Sequence, residues 1–243
     1  PNNYFGFIQY GGSLFETTDG GLTRKNDIVA PTEETGDNDN GGEWVTPLVS
    51  NSKGELYAGY KQLYKLSKST NNWSKISNEL FSDDIDHIEI DPNNDKNIYL
   101  SESNMLHKST DQGETFTQLE FTSGTISAIE VSNNDSNVAW IVVSGGVYKT
   151  TNLLANSPTF TNISKNLPFE SKLVLRHHAN HKDNRVYLGT TLGVYFTDDT
   201  LNEWQTFDNN LPNVAVRDIE INEKDSKLFA ATYGRGVFVA DIT

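Results

Sequence analysis

Two octets in this chain present a carboxylate in one setting. STDQGETF (109–116) holds Asp111 two places after Ser109 and two before Gly113, with Thr115 and Phe116 closing it. TTDGGLTR (17–24) repeats the arrangement with Thr17, Asp19, Gly21 and Thr23, and puts Arg24 where the aromatic stands. A carboxylate held on a loop is raw material for general acid–base chemistry. The same residue types also make a turn, because Asp accepts backbone N–H bonds across a loop and Gly supplies positive φ. Other clusters offer other chemistry. HHANH brings together His177, His178 and His181, and imidazoles are common transition-metal ligands. The acidic stretch EETGDNDNGGE (33–43) offers Asp37, Asp39 and Glu43 to a hard cation, calcium first, although the spacing is not that of an EF-hand. Asp84, Asp86 and Glu89 supply carboxylates for a glycoside-cleaving pair. ATYGRG sets Tyr233 and Arg235 between glycines, two residue types that anchor interfaces.

What positions these residues is a repeat. The segments WSKI (73–76), FTQL (116–119), FTNI (160–163) and WQTF (204–207) share an aromatic, two mostly polar residues and a large apolar one, at spacings of 43, 44 and 44. A second series, LYAG, IYLS, AWIV, VYLG and LFAA, places aromatics at 57, 99, 140, 187 and 229. Alternating runs that end in polar turns precede most of them, as in IDHIEIDPNNDKN and VRDIEINEKDSK, with Asp95, Asp135, Asp183 and Asp225 in the turns. A third series follows: LFETT, LHKST, VYKTT and VYFTD. Each unit reads as strand, Asn/Asp turn, strand, short turn, strand, hairpin, strand. Four short antiparallel strands at a period near 43 residues are the pattern of a β-propeller blade. No 10-residue helical pattern separates the strands, which excludes a parallel α/β fold. The expected fold is therefore all-β, one propeller domain over 1–243 with units near 4–31, 43–78, 85–120, 126–165, 171–208 and 215–242. Four blades are whole. The first unit enters at a second strand and the last stops after a third, so the expectation is an arc of a larger propeller, continuous with blades upstream.

Composition narrows the partners. With 33 acidic and 19 basic residues in 243, the net charge of -14 repels nucleic-acid phosphates and anionic lipid. The expectation is no nucleic acid, and no membrane insertion because no apolar run has spanning length. The absence of Cys removes disulfides, thiolate metal sites and a Cys nucleophile. The chain begins with Pro and shows no signal peptide, so it is expected to be a processed or truncated piece.

Placed between third and fourth strands, STDQGETF resembles the Asp-box, or BNR repeat, of sialidases, sortilins and xyloglucanases; TTDGGLTR is a close copy lacking the aromatic. STNNW, TTNLLANSPTF and TDDTLNEW keep the position but have lost or stretched the motif. GGEWVTPLV, LYAGYKQLYKLS and LPNVAVRDIEINEKDSKLFAATYGRGVFVADI are similar to the last blades of sortilin-like propellers that Bacteroidota export by type IX secretion. The resemblance implies a secreted or cell-surface protein at the exterior of a bacterial outer membrane. It also implies that the box lies at the blade periphery, so that Asp111 and Asp19 are structural and not catalytic.

No catalytic residues are expected. A sialidase needs three convergent arginines, and of Arg24, Arg176, Arg185, Arg217 and Arg235 the first lies in a hairpin and the third in a turn. The xyloglucanase resemblance implies a cleft between two propellers, more than this chain contains. The expected function is a non-catalytic binding or scaffold module for protein or glycan, working in adhesion, with no cofactor other than the calcium at Asp37, Asp39 and Glu43. The alternatives are a cleft-forming or accessory domain of a carbohydrate-active enzyme or secreted peptidase, and an assembly factor that holds a partner protein.

Overall fold

The computed structural model describes residues 3–8, 12–31, 42–78, 81–121, 124–207, 211 and 213–242. Asp37 and Asp39 lie outside the described residues. Among the described residues every regular element is a strand, and these strands form six antiparallel sheets.

Two compact units divide the chain: Pro1–Ile90 with Asp95–Leu119, and Asp91–Asn94 with Glu120–Thr243. The first unit carries three sheets. One holds β1 (Tyr4–Ile8), β2 (Ser13–Thr17) and β3 (Lys25–Val29). The next holds β4 (Leu48–Ser50), β5 (Leu56–Gly59), β6 (Leu63–Ser67) and β7 (Asn72–Lys75), and the third β8 (His87–Ile90), β9 (Ile98–Glu102), β10 (Met105–Ser109) and β11 (Thr117–Glu120). The second unit carries the other three. They are β12 (Ile126–Val131), β13 (Ala139–Val143), β14 (Gly146–Thr150) and β15 (Thr161–Asn162); β16 (Lys172–His177), β17 (Val186–Thr190), β18 (Gly193–Thr197) and β19 (Gln205–Phe207); and β20 (Val216–Asn222), β21 (Lys227–Thr232) and β22 (Gly236–Asp241).

Each sheet pairs strands in chain order, the meander of a propeller blade, so the fold is a six-bladed β-propeller with four blades of four strands and two of three. Propellers are built from four to eight blades, and six sheets fall within that range; the expected arc of a larger ring gains no support from the fold.

Burial follows position in the blade. The second strands β9, β13 and β17 are buried at every residue, because a middle strand is covered on both faces. Their aromatics Tyr99, Trp140 and Tyr187 lie deep in the core. The outer strands β7, β11 and β15 are short and mostly exposed. First strands of successive blades pack together within each unit: β4 on β8, β12 on β16, and β16 on β20. Close approach there depends on missing side chains. A Cβ on Gly189 would stand 2.7 Å from Val174 and 3.1 Å from Val216, and one on Gly59 would stand 2.9 Å from Ile85 and Pro47.

The polar turns after the first strands join neighbouring blades at the period of the repeat. Asp95 accepts from the backbone N–H and hydroxyl of Ser52, 43 residues back, at 3.1 and 2.8 Å. The N–H of Ala179 donates to Glu223 at 2.7 Å, 44 residues on. The N–H of Asn133 donates to His177 Nδ1 at 3.1 Å, also 44 residues on.

At the opposite end of the sheets lie the hairpins between second and third strands and the connectors between blades. The octets close the hairpins between third and fourth strands, at the turn end. Ser109 Oγ donates to Asp111 at 2.7 Å and accepts from the N–H of Gly113 at 2.9 Å. Asp111 accepts from Thr115 N–H at 3.0 Å and from its hydroxyl at 2.6 Å. Gln112 and Gly113 take φ of 68° and 90°. Thr17, Asp19, Gly21 and Thr23 reproduce these bonds. The stretched copy does so too: Asn152 accepts from Thr150 Oγ1 at 2.9 Å and from Thr159 N–H at 2.9 Å across a longer loop. Phe116 packs edge-on to Phe81 at 5.4 Å, beneath the intact hairpin.

Ser109 is buried, and its hydroxyl is what the buried N–H of Gly113 bonds to. Ser109→Ala leaves that donor unpaired, and the expected cost is about 1–3 kcal/mol, read as a lower urea midpoint at unchanged m-value.

Candidate binding surface

Asp111 and Asp19 are committed inside their hairpins. Burial pushes the Asp111 carboxyl up, but bonds from Thr115 and Ser109 outweigh it and hold the carboxyl below its usual range. Asp19 is lowered further, chiefly by the hydroxyl and N–H of Thr23 and then by Thr17. Carboxylates held ionised by three donors are poor proton carriers.

His177 ends β16, and His178 and His181 lie in the turn that follows. His177 and His178 are buried, because each packs under a neighbouring element. His177 stacks on Trp140 with centroids 5.2 Å apart and planes 23° apart, while Lys149 lies 5.4 Å over the same indole. Burial, then the nearby His178 and Lys149, lowers its pKa to about 4. His178 Nε2 sits 3.3 Å from Glu223, and its pKa too is lowered, by burial first. Among the described residues no group of three His, Cys, Asp or Glu could hold a metal ion. Glu43, the described member of the calcium trio, lies near Asp86, whose carboxyl is raised by burial and by Glu43, Asp83 and Glu102. Asp86 accepts from Ser103 N–H at 2.6 Å; Glu102, itself buried, accepts from Ser82 Oγ at 3.2 Å and Asp83 N–H at 3.0 Å.

Arginines are engaged locally. Arg24 pairs with Asp27 in its own hairpin, and Arg185 with Asp198 at 2.9 Å. Arg176 joins three first strands of the second unit: 3.7 Å to Glu130 on β12, and 3.2 Å to Asp218 and 3.7 Å to Glu220 on β20. Glu130, Arg176 and Glu220 hold one position of the repeat, so aligned sequences show the alternation of sign. Burial raises the Glu130 carboxyl to about 7 despite the Arg176 guanidinium and a 2.7 Å bond from His177 N–H.

At the loop end of the second unit the surface is of a different kind. The connector from β15 to β16, the start of β12 and the β13–β14 hairpin enclose a cleft of about 390 Å³. Thr125, Ser127, Ser144, Phe169, Glu170 and Lys172 line it. The Phe169 ring is wholly exposed. Behind it Lys172 is buried, its ammonium held 3.0 Å from the Glu170 carbonyl and 3.4 Å from that of Pro168, and Ser127 Oγ donates to the Lys172 carbonyl at 2.9 Å. The loop is thus fixed from beneath while its ring faces out. Glu170 Oε1 is buried and takes no hydrogen bond from the described residues. The same end carries Leu192 in the β17–β18 hairpin, 56% exposed, and Tyr233 in the β21–β22 hairpin, 74% exposed. Tyr233 lies on a turn with Gly234 and Gly236 at φ of 79° and 76°. Its cationic neighbour is Arg217, 5.5 Å over the ring. Sequence reasoning missed Arg217, Phe169 and Glu170; a phenylalanine after proline, off the register of the repeat's aromatics, is the one signal for the cleft.

A scan against protein-family models gives no match, and neither does a search of curated proteins. Solved structures do match. YCF48 from Cyanidioschyzon merolae aligns with a TM-score of 0.71 at 17% identity, over 94% of this chain and 74% of its own. The β-propeller domain of Cps50 (Swd1) from Myceliophteria thermophila gives 0.67 at 11%, over 82% and 65%. The GH74 xyloglucanase from Xanthomonas campestris gives 0.64 at 14%, over 79% of this chain and 34% of the enzyme. At these identities the likeness establishes the propeller fold alone, and this chain spans about a third of the xyloglucanase.

Glu130 and His177 make opposite contributions to stability with pH. A carboxyl raised from 4.5 to about 7 binds its proton more tightly folded than unfolded, so its contribution is present at low pH and lost as pH rises through that window. An imidazole lowered from 6.5 to about 4 contributes stability above that window and loses it as pH falls. Between about pH 4.5 and 6.5 the two oppose. Glu130→Gln removes one of them, so the gain in unfolding free energy from pH 4.5 to 6.5 should exceed that of the parent in urea melts.

Proposed function

We propose that this chain is a non-catalytic binding module, a scaffold propeller whose loop end takes a protein or a glycan. The observation that carries the reading is the cleft at 125–127, 144 and 169–173, where a wholly exposed aromatic is set on a loop that buried Lys172 holds in place. An exposed ring on a rigid support binds without first ordering itself. Hydroxyls around it supply both donors and acceptors. The hairpins between third and fourth strands support the structural assignment of Asp111 and Asp19, since their carboxylates are consumed by the turn. The resemblance to Asp-box propellers of type IX secretion supports placing the module at a bacterial cell surface, in adhesion.

A second reading is an accessory domain of a carbohydrate-active enzyme. The likeness to the xyloglucanase propeller favours it, together with the hydroxyl-lined cleft.

Retention of the chain on immobilised polysaccharides and envelope proteins tests the proposal. Phe169→Ala is expected to weaken retention about tenfold, or about 1.4 kcal/mol, with the melting temperature unchanged because the ring buries nothing. Retention unaffected by this substitution overturns the site, and turnover of xyloglucan or a sialoside by the chain overturns the non-catalytic reading.

A further inference from the structure

The loop ends of the three blades in the second unit are built to one plan. Each first strand carries a register shift near its start, which leaves one residue out of the pairing: Ser127 in β12, Leu173 in β16 and Arg217 in β20. Bulges of this kind re-aim a side chain and are over-represented beside functional sites. The hairpin between second and third strands then opens with a residue whose N–H bonds back to the chain just before the bulge. Ser144 bonds to Thr125 at 3.0 Å, Thr191 to Ser171 at 3.0 Å and Tyr233 to Ala215 at 2.8 Å. Equal scaffolds therefore present Ser127 with Ser144, Leu173 with Thr191, and Arg217 with Tyr233.

The third pair differs from the other two in kind. The hairpins at Ser144 and Thr191 hold two residues between their paired strands, and the one at Tyr233 holds three, the third being Arg235. Two neighbouring blades close without an arginine at either place, so the fold does not require one. Nor do these arginines pair within the fold. Of the five in the chain, Arg24, Arg176 and Arg185 are paired with carboxylates. Among the described residues Arg217 and Arg235 pair with none, although the chain has 33 acidic residues to offer. Both are exposed. Arg217 rests on the Tyr233 ring, 5.5 Å from its centroid, and that contact sets the guanidinium in place before anything binds.

We propose that Arg217, Tyr233 and Arg235 form an anion-recognition site that takes one carboxylate of a partner polypeptide, an aspartate or glutamate set beside an apolar residue. A guanidinium presents two parallel N–H groups that match a carboxylate, and two such forks at one hairpin give the site its charge and its geometry. The net charge of -14 decides which anion fits. A polyanion lays further charges along an acidic surface and is repelled. A single carboxylate at the hairpin meets the arginines alone, because charges more than about 8 Å away are largely screened at physiological salt. The apolar neighbour is matched by the exposed Tyr233 ring and by Leu192, exposed in the hairpin of the adjacent blade. This site is separate from the cleft at Phe169 and does not depend on it.

The test uses the full chain and the peptide GSLEFSG, capped at both ends so that it carries one charge, followed through the NMR signals of the arginine Nε–H groups. The signals of Arg217 and Arg235 should shift on titration, and the peptide with glutamine in place of glutamate should bind about tenfold more weakly or less. Arg217→Gln and Arg235→Gln should each weaken binding about tenfold at an unchanged melting temperature, because neither guanidinium pairs within the fold. Arg235→Lys should also weaken it, since an ammonium keeps the charge and loses the fork. Phe169→Ala, which strikes the cleft, should leave it unchanged. Absence of shifts at both arginines, or equal binding of the glutamine peptide, overturns the proposal. Equal loss in Phe169→Ala gives the peptide to the cleft and overturns it too. So does tighter occupation of the same arginines by polygalacturonate, which would make an acidic glycan the ligand.

Discussion

The structure depends on one packing requirement: the second strand of each four-stranded sheet must be buried on both faces. β13 and β17 satisfy it with residues that are buried throughout, and the first strand of the following blade, β16 and β20, comes close to each. The absent side chain of Gly189 sets that distance against β16 and β20, and Gly59 does the same against Ile85. A single methyl there would press on atoms less than 3 Å away, and cores transmit such strain instead of absorbing it. Stacking sheets this closely leaves no room for function inside the blades. What can vary is the outer rim and the two ends, and the two ends have been used differently.

The turn end is densely hydrogen-bonded. Carboxylates, amides and hydroxyls there answer one another, within hairpins as in Ser109 and Asp111, or from blade to blade as in Asp95 with Ser52 and Glu223 with Ala179. The loop end holds polar groups whose partners are incomplete and apolar groups that nothing covers, with Glu170 and Phe169 side by side. Between the ends, Arg176 draws Glu130, Asp218 and Glu220 into one network on the first strands. A buried carboxylate of this sort is weak evidence for stability, because the loss of its water shell offsets much of what the guanidinium returns. It registers β12, β16 and β20 against one another.

Much of this was legible before any coordinates. The aromatics at 57, 99, 140 and 187 repeat because each occupies the doubly covered strand, and Trp73, Phe116, Phe160 and Trp204 repeat because each starts an outer one. Periodicity transmits whatever the blade needs. It is silent on what a single blade does once. Phe169 falls in a connector, off register, so the pattern gives it no role. His177 ends β16 and His178 follows it, and both are buried, since Trp140 and Glu223 come from elements 37 and 45 residues away. The partner of Tyr233 is Arg217 and not Arg235, because the hairpin folds its ring back over β20, which local sequence cannot express.

The stretched hairpin at Thr150 to Thr159 separates two things that the octet joins. In STDQGETF the acceptor and the donor it holds are four residues apart; in TTNLLANSPTF they are seven apart, and the bonds from Thr150 and Thr159 to Asn152 survive. The clamp therefore fixes where the chain leaves β14 and where it returns toward β15, and is indifferent to what is spooled between. A fold with such a joint can gain or shed residues at its rim without passing the change inward. The hairpin is a place where length is free, and so a natural splice point for a foreign segment on an otherwise unyielding frame.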